Sequence, residues 1–482
     1  MDNIINYEKY DLIIKNGSIV SSDKTEKNDI GIIGEKIVFI GKLDGVKCNR
    51  EINADGKYVL PGVIDGHMHV EAPMCGGLLS ADDYYTQSIS AAFGGITTFM
   101  DFTNTNKGDS LIETMNERIN QMQKSAIDYA LHGRVVDASD EVLKELGDFV
   151  EAGCPSFKMY MTYREDGFLA EDDTILKVFD AAEKIGALCL LHCESNPIIE
   201  YLDKKYEEKG QRQWWVHAAS KPVICEAEAA YRAISFSKVI GNSILLVHTT
   251  NGEVLKMAKD AQLQGHPVYI ETCPHYLTLD DEVYNKEDGH LFICSPPIRK
   301  KENINELWEG IKDGTITVSG SDDCAFTRED KEKYLSRDSY GKLMQDYKKV
   351  VSGMSGLEMR LPVLITEGVC NDKITLNKIV ELTSTNLAKL YGMYPQKGAI
   401  QVGSDADIII VDMEKEKVVS KEILHNNVGY SAYEGMKVKG IPDTTILRGK
   451  VIVNEGKFYG NKHEGKFVKR KINKEILNKF SF

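Results

Sequence analysis

The sequence predicts a (β/α)8 barrel of the TIM type, joined to a small β-sandwich domain built from both chain ends. Eight short, apolar, β-branched runs alternate with helix-like segments through the middle of the chain, which is the strand count of a closed barrel. Short β-rich runs punctuated by glycine fill the first sixty residues and return near the end. An open doubly wound sheet is the alternative, but the sequence lacks the glycine-rich first turn that would bind a dinucleotide.

The domain boundaries follow from where these runs begin and end. The predicted barrel strands are residues 63–69, 96–102, 129–136, 156–162, 187–194, 243–249, 267–273 and 316–322. We predict a barrel over residues 61–396, a sandwich domain over 1–60 and 397–457, and a C-terminal oligomerisation tail over 458–482. Periodicity leaves one alternative open, in which the two chain ends form separate β-caps.

Three segments between the strands have the pattern of helices. They are residues 80–93, 173–185 and 225–240. The first opens on Ser80, with two aspartates close behind it, which predicts a capping box at that serine.

The composition excludes several classes of protein. Of 482 residues, 59 are basic and 73 are acidic, and the formal net charge of −14 argues against nucleic acid or an anionic membrane as a partner. No apolar run approaches the ~18 residues of a membrane span, and the N-terminus lacks the pattern of a signal peptide. Ten scattered cysteines without a CxxC pair indicate reduced thiols and a cytoplasmic protein.

Polar residues stand at the carboxyl ends of several predicted strands, where barrels of this kind carry their active sites. His67 and His69 end the first strand and face the same way, because side chains alternate along a strand. His192, His248 and Asp322 end the fifth, sixth and eighth strands. Each of them alone could be a satisfied core residue, but five together at one end of a barrel predict a metal site.

Lys158 lies among apolar residues on the fourth predicted strand. An ion-paired or snorkelling lysine is one interpretation. A protonated ammonium has no lone pair to offer a metal, but a desolvated, neutral lysine can react with carbon dioxide to form a carbamate. That product is an anionic oxygen ligand that can bridge two cations.

Six segments resemble the dihydropyrimidinase and hydantoinase family of the amidohydrolase superfamily. They are residues 61–69, 91–98, 156–163, 271–277, 295–299 and 402–407. The resemblance runs over essentially the whole chain, with the motifs in the family's order. It implies a homotetrameric barrel enzyme that uses metal to hydrolyse a cyclic amide bond, opening a dihydropyrimidine or hydantoin ring to an N-carbamoyl amino acid.

The family's metal ligands carry over onto matching positions of this sequence. The resemblance implies two divalent metal ions, with zinc as the first choice and manganese or cobalt as alternatives. One ion would be held by His67, His69, Lys158 and Asp322, and the other by Lys158, His192 and His248, with carbamylated Lys158 as the bridge.

The resemblance also implies roles for residues in the reaction. Asp322 would take a proton from the attacking water and deliver it to the leaving nitrogen. Tyr163 would donate its phenol hydrogen to the oxyanion of the tetrahedral intermediate. Backbone groups near Ser295 would hold the ring amide, and Ser352 stands where the family has an asparagine that contacts the substrate.

The sequence departs from the family's pattern in three places. Asp323 replaces the histidine that usually follows the aspartate of the eighth strand, and as an extra carboxylate it would alter the charge around the site. Ser352 replaces the asparagine, and the lid segment 71–77 is individual to this chain. These changes leave the reaction type intact and leave the ring open, with dihydrouracil, a substituted hydantoin or a purine-derived ring as candidates.

Two other functions are alternatives. One is an allantoinase- or dihydroorotase-like hydrolase; dihydroorotases typically carry an arginine two residues after the second histidine, to grip the substrate carboxylate. Here that position is Glu71, which would repel a carboxylate and therefore favours an uncharged ring. The other is a non-catalytic scaffold such as the collapsin response mediator proteins, but those lack the metal ligands that this chain keeps.

The C-terminal tail is basic in an acidic chain. Residues 456–482 hold eight lysines and arginines against two acidic residues. Nucleic acid is one interpretation of such a tail. We instead predict a solvated arm that packs on an acidic neighbouring subunit of the tetramer.

Overall fold

The computed structural model of the chain describes residues 9–73, 77–477 and 480. Residues 74–76 of the predicted lid segment, and the outermost residues of the predicted sandwich domain and tail, lie outside the described residues. Within the described ranges, no helix is both long and apolar enough to cross a membrane.

The first five strands begin a β-domain. They are β1 (Tyr10–Val20), β2 (Thr25–Ile33), β3 (Lys36–Gly41), β4 (Cys48–Asn53) and β5 (Tyr58–Pro61). β1 pairs along its length with β2, while its first half also pairs with β4 and its second half with β5. Gly17 stands between these halves, where a Cβ would lie 2.4 Å from the side chain of Val59, so glycine permits the close approach of β1 to β5.

Eight parallel strands then form the predicted barrel. They are β6 (Val63–Asp65), β7 (Ile96–Phe102), β8 (Asp128–Arg134), β9 (Ser156–Tyr160), β10 (Leu188–His192), β11 (Ile244–Leu246), β12 (Val268–Thr272) and β13 (Val318–Ser319). Neighbours in the sheet are neighbours in sequence, and a parallel bridge between Met68 and Asp323 joins the last strand to the first. Met100, Leu190 and Leu245 belong to the buried cluster that fills the interior, so the barrel is a packed core.

Helices alternate with the barrel strands and cover their outer faces. They are α1 (Tyr84–Phe93), α2 (Leu111–Met122), α3 (Asp140–Glu151), α4 (Asp172–Ile185), α5 (Asn196–Glu208), α6 (Val216–Ala219), α7 (Val223–Ile240), α8 (Gly252–Leu263), α9 (Lys301–Lys312), α10 (Arg328–Glu332), α11 (Arg360–Leu364), α12 (Leu376–Val380) and α13 (Asn386–Leu390). The three predicted helices correspond to α1, α4 and α7. The predicted capping box at Ser80 is wrong, because Asp83 caps α1 with Thr86 as its reciprocal partner. The Ser80 hydroxyl instead accepts a hydrogen bond from the backbone N–H of Glu71.

The last strands return to the first domain. They are β14 (Ile408–Val411), β15 (Glu416–Val418), β16 (Lys437–Lys439), β17 (Pro442–Leu447), β18 (Lys450–Asn454) and β19 (Lys457–Phe458). β14 pairs antiparallel with β5, so both chain ends build one domain and the alternative of two separate β-caps is wrong. Ile30 from one end and Ile446 from the other share one buried cluster. The domain boundaries themselves stay a prediction.

Part of the C-terminal tail lies on this chain's own barrel. Phe467 bridges to Tyr129 on β8, and a short helix, α14 (Lys474–Leu477), follows. The Arg470 side chain is buried and donates a hydrogen bond to Oγ of Ser156 at 2.9 Å. The prediction of a solvated arm is therefore wrong for this stretch, whereas a contact with a neighbouring subunit stays a prediction.

Candidate active site

A cavity of about 400 Å³ opens at the carboxyl ends of the barrel strands. Strand ends and the loops that follow them supply its lining. All nine residues that the sequence analysis named as candidates lie in this lining: His67, His69, Lys158, Tyr163, His192, His248, Ser295, Asp322 and Ser352. The structure thus brings the candidate metal ligands and the candidate substrate contacts into one pocket.

Two histidines and one aspartate form the first group of candidate metal ligands. Oδ1 of Asp322 lies 3.2 Å from Nε2 of His67 and 3.4 Å from Nε2 of His69. One donor atom from each of the three residues lies within 4.8 Å of the other two. Ligand atoms sit about 2.0–2.2 Å from a zinc ion, so a group this compact fits one cation.

The closure of the barrel fixes these three residues relative to one another. The backbone N–H of Asp322 donates to the carbonyl oxygen of His67 at 2.9 Å, and the N–H of His69 donates to the carbonyl oxygen of Asp323 at 2.8 Å. Asp322 has a φ of +48°, in the left-handed region that non-glycine residues seldom adopt. Such a conformation costs of order 1–3 kcal/mol and persists where the surrounding contacts impose it, as they often do at functional sites.

Lys158 extends from β9 into the centre of this group. It is buried, and its Nζ lies 3.4 Å from Nε2 of His67. The rings of Phe102 and Tyr160 lie 5.3 and 5.1 Å from Nζ, and no carboxylate of the described chain is within ion-pair distance of it, which argues against the ion-paired interpretation. Burial lowers the pKa of Lys158 to about 8, although Asp322 raises it in opposition.

His192 and His248 form the second group of candidate ligands. Their ring centroids lie 4.5 Å apart, and the His248 ring lies 5.4 Å from that of His67. Burial lowers the pKa of both His192 and His248, which favours the neutral imidazole that binds metal. Nδ1 of His248 is buried and has no hydrogen-bond partner in the described part of the chain.

These donors fit a pair of divalent cations. Imidazole nitrogens, one carboxylate and a lysine that can become a carbamate make a nitrogen and oxygen donor set, which zinc, manganese and cobalt all accept. The unpartnered nitrogen of His248 and the unpaired amine of Lys158 are the two features that a metal pair would satisfy. The residues present therefore agree with a binuclear centre.

Two buried glutamates that the sequence analysis did not single out hold the histidines. Oε1 of Glu271 lies 2.7 Å from Nδ1 of His67, and Oε2 of Glu194 lies 2.7 Å from Nε2 of His192. A carboxylate on the far nitrogen of a ligating histidine fixes its tautomer and orientation. A Cβ at Gly320 would lie 2.6 Å from Oε2 of Glu271, so glycine leaves room for that carboxylate. Glu194 stands two positions after His192, so strand alternation places the two side chains on the same face; this spacing was the sequence signal for the pair.

The candidate substrate contacts form one wall of the cavity. Tyr163 has a φ of +65°, and its ring lies 5.2 Å from that of His192. Oγ of Ser295 accepts from Nζ of Lys221 at 2.6 Å and from Oγ of Ser352 at 3.4 Å. Burial raises the pKa of Tyr163, so its phenol keeps its proton and remains a donor. Lys221 had no signal in the sequence that tied it to the site.

Two carboxylates close to the candidate ligands in sequence, Asp323 and Glu71, lie outside the cavity lining. Asp323 is buried outside the cavity lining and accepts a hydrogen bond from the backbone N–H of Gly356 at 2.6 Å, so it secures a loop, whereas its effect on the charge around the site stays a prediction. Glu71 also lies outside the lining, and it forms an ion pair with Lys124 at 2.9 Å. The inference that Glu71 repels a substrate carboxylate is therefore wrong.

Comparisons with known proteins agree with this geometry. Residues 58–452 match the model of the Amidohydrolase family. A D-hydantoinase of Ralstonia pickettii is 39% identical to this chain, over 96% of this chain and 100% of the relative. A D-hydantoinase of Geobacillus stearothermophilus is 38% identical, over 95% of this chain and 96% of the relative.

Solved structures share the fold along nearly their whole length. A D-hydantoinase structure with 39% identity matches with a TM-score of 0.91, over 96% of this chain and 99% of that chain. A dihydropyrimidinase from Brevibacillus agri NCHU1002 with 37% identity matches with a TM-score of 0.90, over 95% and 98% of the two chains. The chain belongs to the dihydropyrimidinase and hydantoinase family of the amidohydrolase superfamily.

Proposed function

We propose that this chain hydrolyses a cyclic amide bond, opening a dihydropyrimidine or hydantoin ring to an N-carbamoyl amino acid. The observation that carries the proposal is the single cavity in which six metal-type donors face a phenol and two serine hydroxyls. Relatives named D-hydantoinase that match nearly the whole chain support the same reaction. The allantoinase- or dihydroorotase-like alternative has no such support among these relatives, and a scaffold would not need the full donor set.

Two divalent cations, zinc first and manganese or cobalt as alternatives, belong to the proposal. His67, His69 and Asp322 would hold one, His192 and His248 would hold the other, and Lys158 as a carbamate would bind both. When bound, the cations would polarise the ring carbonyl and lower the pKa of the attacking water.

The environment of Lys158 supports its carbamylation. The reaction joins the amine nitrogen to the carbon of carbon dioxide and releases one proton, so it needs the neutral amine. Burial lowers the pKa of Lys158 to about 8, which leaves a neutral fraction near neutral pH. The rings of Phe102 and Tyr160 shield the amine from bulk water.

Asp322 is the proton carrier in this proposal. Burial alone would raise its pKa, but the His67 ring and the hydrogen bond with His69 outweigh burial and hold the pKa of Asp322 below its ordinary value. The carboxylate is therefore ionised at neutral pH and can accept a proton from the attacking water. It then delivers that proton to the ring nitrogen as the C–N bond breaks.

Tyr163 stabilises the oxyanion, and Ser295 and Ser352 hold the ring. Because burial raises the pKa of Tyr163, its hydroxyl donates a hydrogen bond to the developing charge without losing its own proton. Backbone groups near Ser295 and the hydroxyl of Ser352 would meet the amide edge of the ring, and the hydroxyls of these two serines lie 3.4 Å apart. A cytoplasmic homotetramer whose partner is a small cyclic amide, with no nucleic acid, completes the proposal.

A substrate panel on metal-reconstituted protein tests the proposal. Loss of ring absorbance is followed for dihydrouracil, hydantoin, 5-substituted hydantoins, allantoin and dihydroorotate. We expect opening of one or more of the first three. Opening of allantoin or dihydroorotate alone would favour the alternative hydrolase, and a protein that binds metal but opens no ring would favour a scaffold.

A further inference from the structure

Arg134 is a buried cation in the wall of the candidate active site that the proposed reaction does not use. It is the last residue of β8, it is 7% exposed, and it lines the cavity. In the parallel pairing of β8 with β9, its partner is Lys158. Neighbouring strands lie about 4.8 Å apart, so Arg134 stands directly beside the candidate metal bridge.

Arg134 has no anionic partner among the residues that the structure describes. The buried Arg118, Arg299 and Arg360 each lie within 2.9 to 3.2 Å of a carboxylate oxygen. Among the described residues, no carboxylate lies within ion-pair distance of Arg134, and Arg470, which also lacks one, is outside the cavity lining. Burying an unpaired charge is costly, so a cation of this kind is normally matched by a counter-ion or a ligand.

The guanidinium of Arg134 is fixed but keeps donors for a ligand. Its Nε donates to the carbonyl oxygen of Thr105 at 2.8 Å, Nη2 donates to Oδ1 of Asn106 at 3.4 Å, and Cζ lies 4.2 Å from the ring centroid of Phe168. Nη1 makes no hydrogen bond within the described chain and is not fully buried. Stacking on the ring of Phe168 orients the planar guanidinium group, whose paired N–H donors match the two oxygens of a carboxylate.

The corner of the cavity around this guanidinium is polar. Thr103, Asn104 and Asn106 line it. Asp101 also lines the cavity, but its carboxylate is already paired with an arginine at 2.9 Å. Asp166 is another carboxylate of the lining, but it is exposed and lies on the loop after β9. The buried charge that this corner presents to a ligand is therefore positive.

We propose that Arg134 binds an anionic group on the exocyclic arm of the substrate, so that the preferred ring carries a short arm ending in a carboxylate. The inference rests on the proposed ring-opening function and deepens it by naming the substituent. Arg134 determines specificity and takes no part in bond cleavage. The cation comes from the third barrel strand, unlike the arginine after the second histidine that dihydroorotases use.

Paired substrates test this inference on metal-reconstituted protein. 5-Carboxymethylhydantoin and 5-carboxyethylhydantoin are each compared with the matching carboxamide, which has the same size and no charge. A charge-assisted hydrogen bond predicts that wild-type kcat/KM for the carboxylate exceeds that for the amide by about 10- to 100-fold. Arg134→Met should bring this ratio close to one, and Arg134→Lys should keep part of it.

Arg164→Met is the matched control. Arg164 lies on the loop after β9, is exposed, pairs with Glu200 at 2.9 Å and is not part of the cavity lining, so this variant should keep the wild-type ratio. A wild-type ratio near one, or an Arg134→Met ratio equal to that of wild type, would overturn the inference and leave the proposed function standing. A wild type that opens none of these rings or the unsubstituted ones would overturn both. The wild-type ratio needs no variant, so a folding failure of Arg134→Met does not remove the test.

Discussion

Replacing Glu271 by glutamine removes one buried charge from behind the candidate metal ligands. Oε1 of Glu271 accepts from Nδ1 of His67 at 2.7 Å and from the backbone N–H of His248 at 3.1 Å. Glutamine has nearly the same volume and keeps an oxygen that can accept both bonds. The variant therefore tests the charge itself, which makes a ligating imidazole more basic and holds its orientation.

The expected loss is in metal affinity. Removing an outer carboxylate of this kind typically weakens metal binding 10- to 100-fold, or about 1.4–2.7 kcal/mol. Because Glu271 contacts one candidate ligand from each group, we expect the upper part of this range, about 30- to 100-fold. Competition with a chromophoric chelator measures the metal Kd, and saturating metal should restore most of kcat.

Glu226→Gln is the matched control for Glu271→Gln. Glu226 is also buried, accepts from the backbone N–H of Thr250 at 2.9 Å and pairs with Arg299 at 3.1 Å, and among the described residues it makes no hydrogen bond or ion pair with any of the six donors. Glu226→Gln should lower the free energy of unfolding and leave the metal Kd near that of wild type. Wild-type metal affinity in Glu271→Gln would refute the reasoning, as would equal losses of affinity in both variants.

Three further predictions use other parts of the site and its support. Tyr163→Phe should lower kcat and kcat/KM together by about 10²–10³ with unchanged metal content, whereas a rise in KM alone would assign the hydroxyl to ground-state binding. Lys158→Ala should lose bound metal and most turnover, with partial rescue by short carboxylic acids; unchanged turnover would make this lysine structural. Burial lowers the pKa of Lys331 to about 8, so above that pH the unfolded state binds more protons than the folded state. The stability of wild type relative to Lys331→Met should therefore rise by about 2 kcal/mol from about pH 7 to pH 9.5 in urea unfolding, and a pH-independent difference would contradict this.

Features that depend on local pattern were predictable from the sequence. The eight barrel strands follow from β-branched runs separated by helical segments, and the facing of His67 and His69 follows from strand alternation. The apolar surroundings of Lys158 on its strand indicated a desolvated lysine, and the family resemblance supplied its role as a metal bridge and the role of Tyr163. All of these residues line one cavity in the structure.

Features that depend on contacts between distant segments were not predictable. Glu271 meets His67 across 204 positions of sequence, and Arg134 becomes notable only because no carboxylate of the described chain reaches it. The repulsion assigned to Glu71 was wrong because its position in the sequence does not reveal the ion pair with Lys124. In the structure its carboxylate makes that pair outside the cavity lining. The cap of α1 was misplaced because several polar residues there could serve, and backbone geometry selects Asp83.

Stepwise addition of metal to metal-free protein tests the central claim most directly, with bound metal and ring opening measured on the same samples. The account predicts that ring-opening activity appears with metal binding and saturates at about two equivalents per chain, as two groups of donors require. Full ring-opening activity in protein that contains no metal would contradict the account.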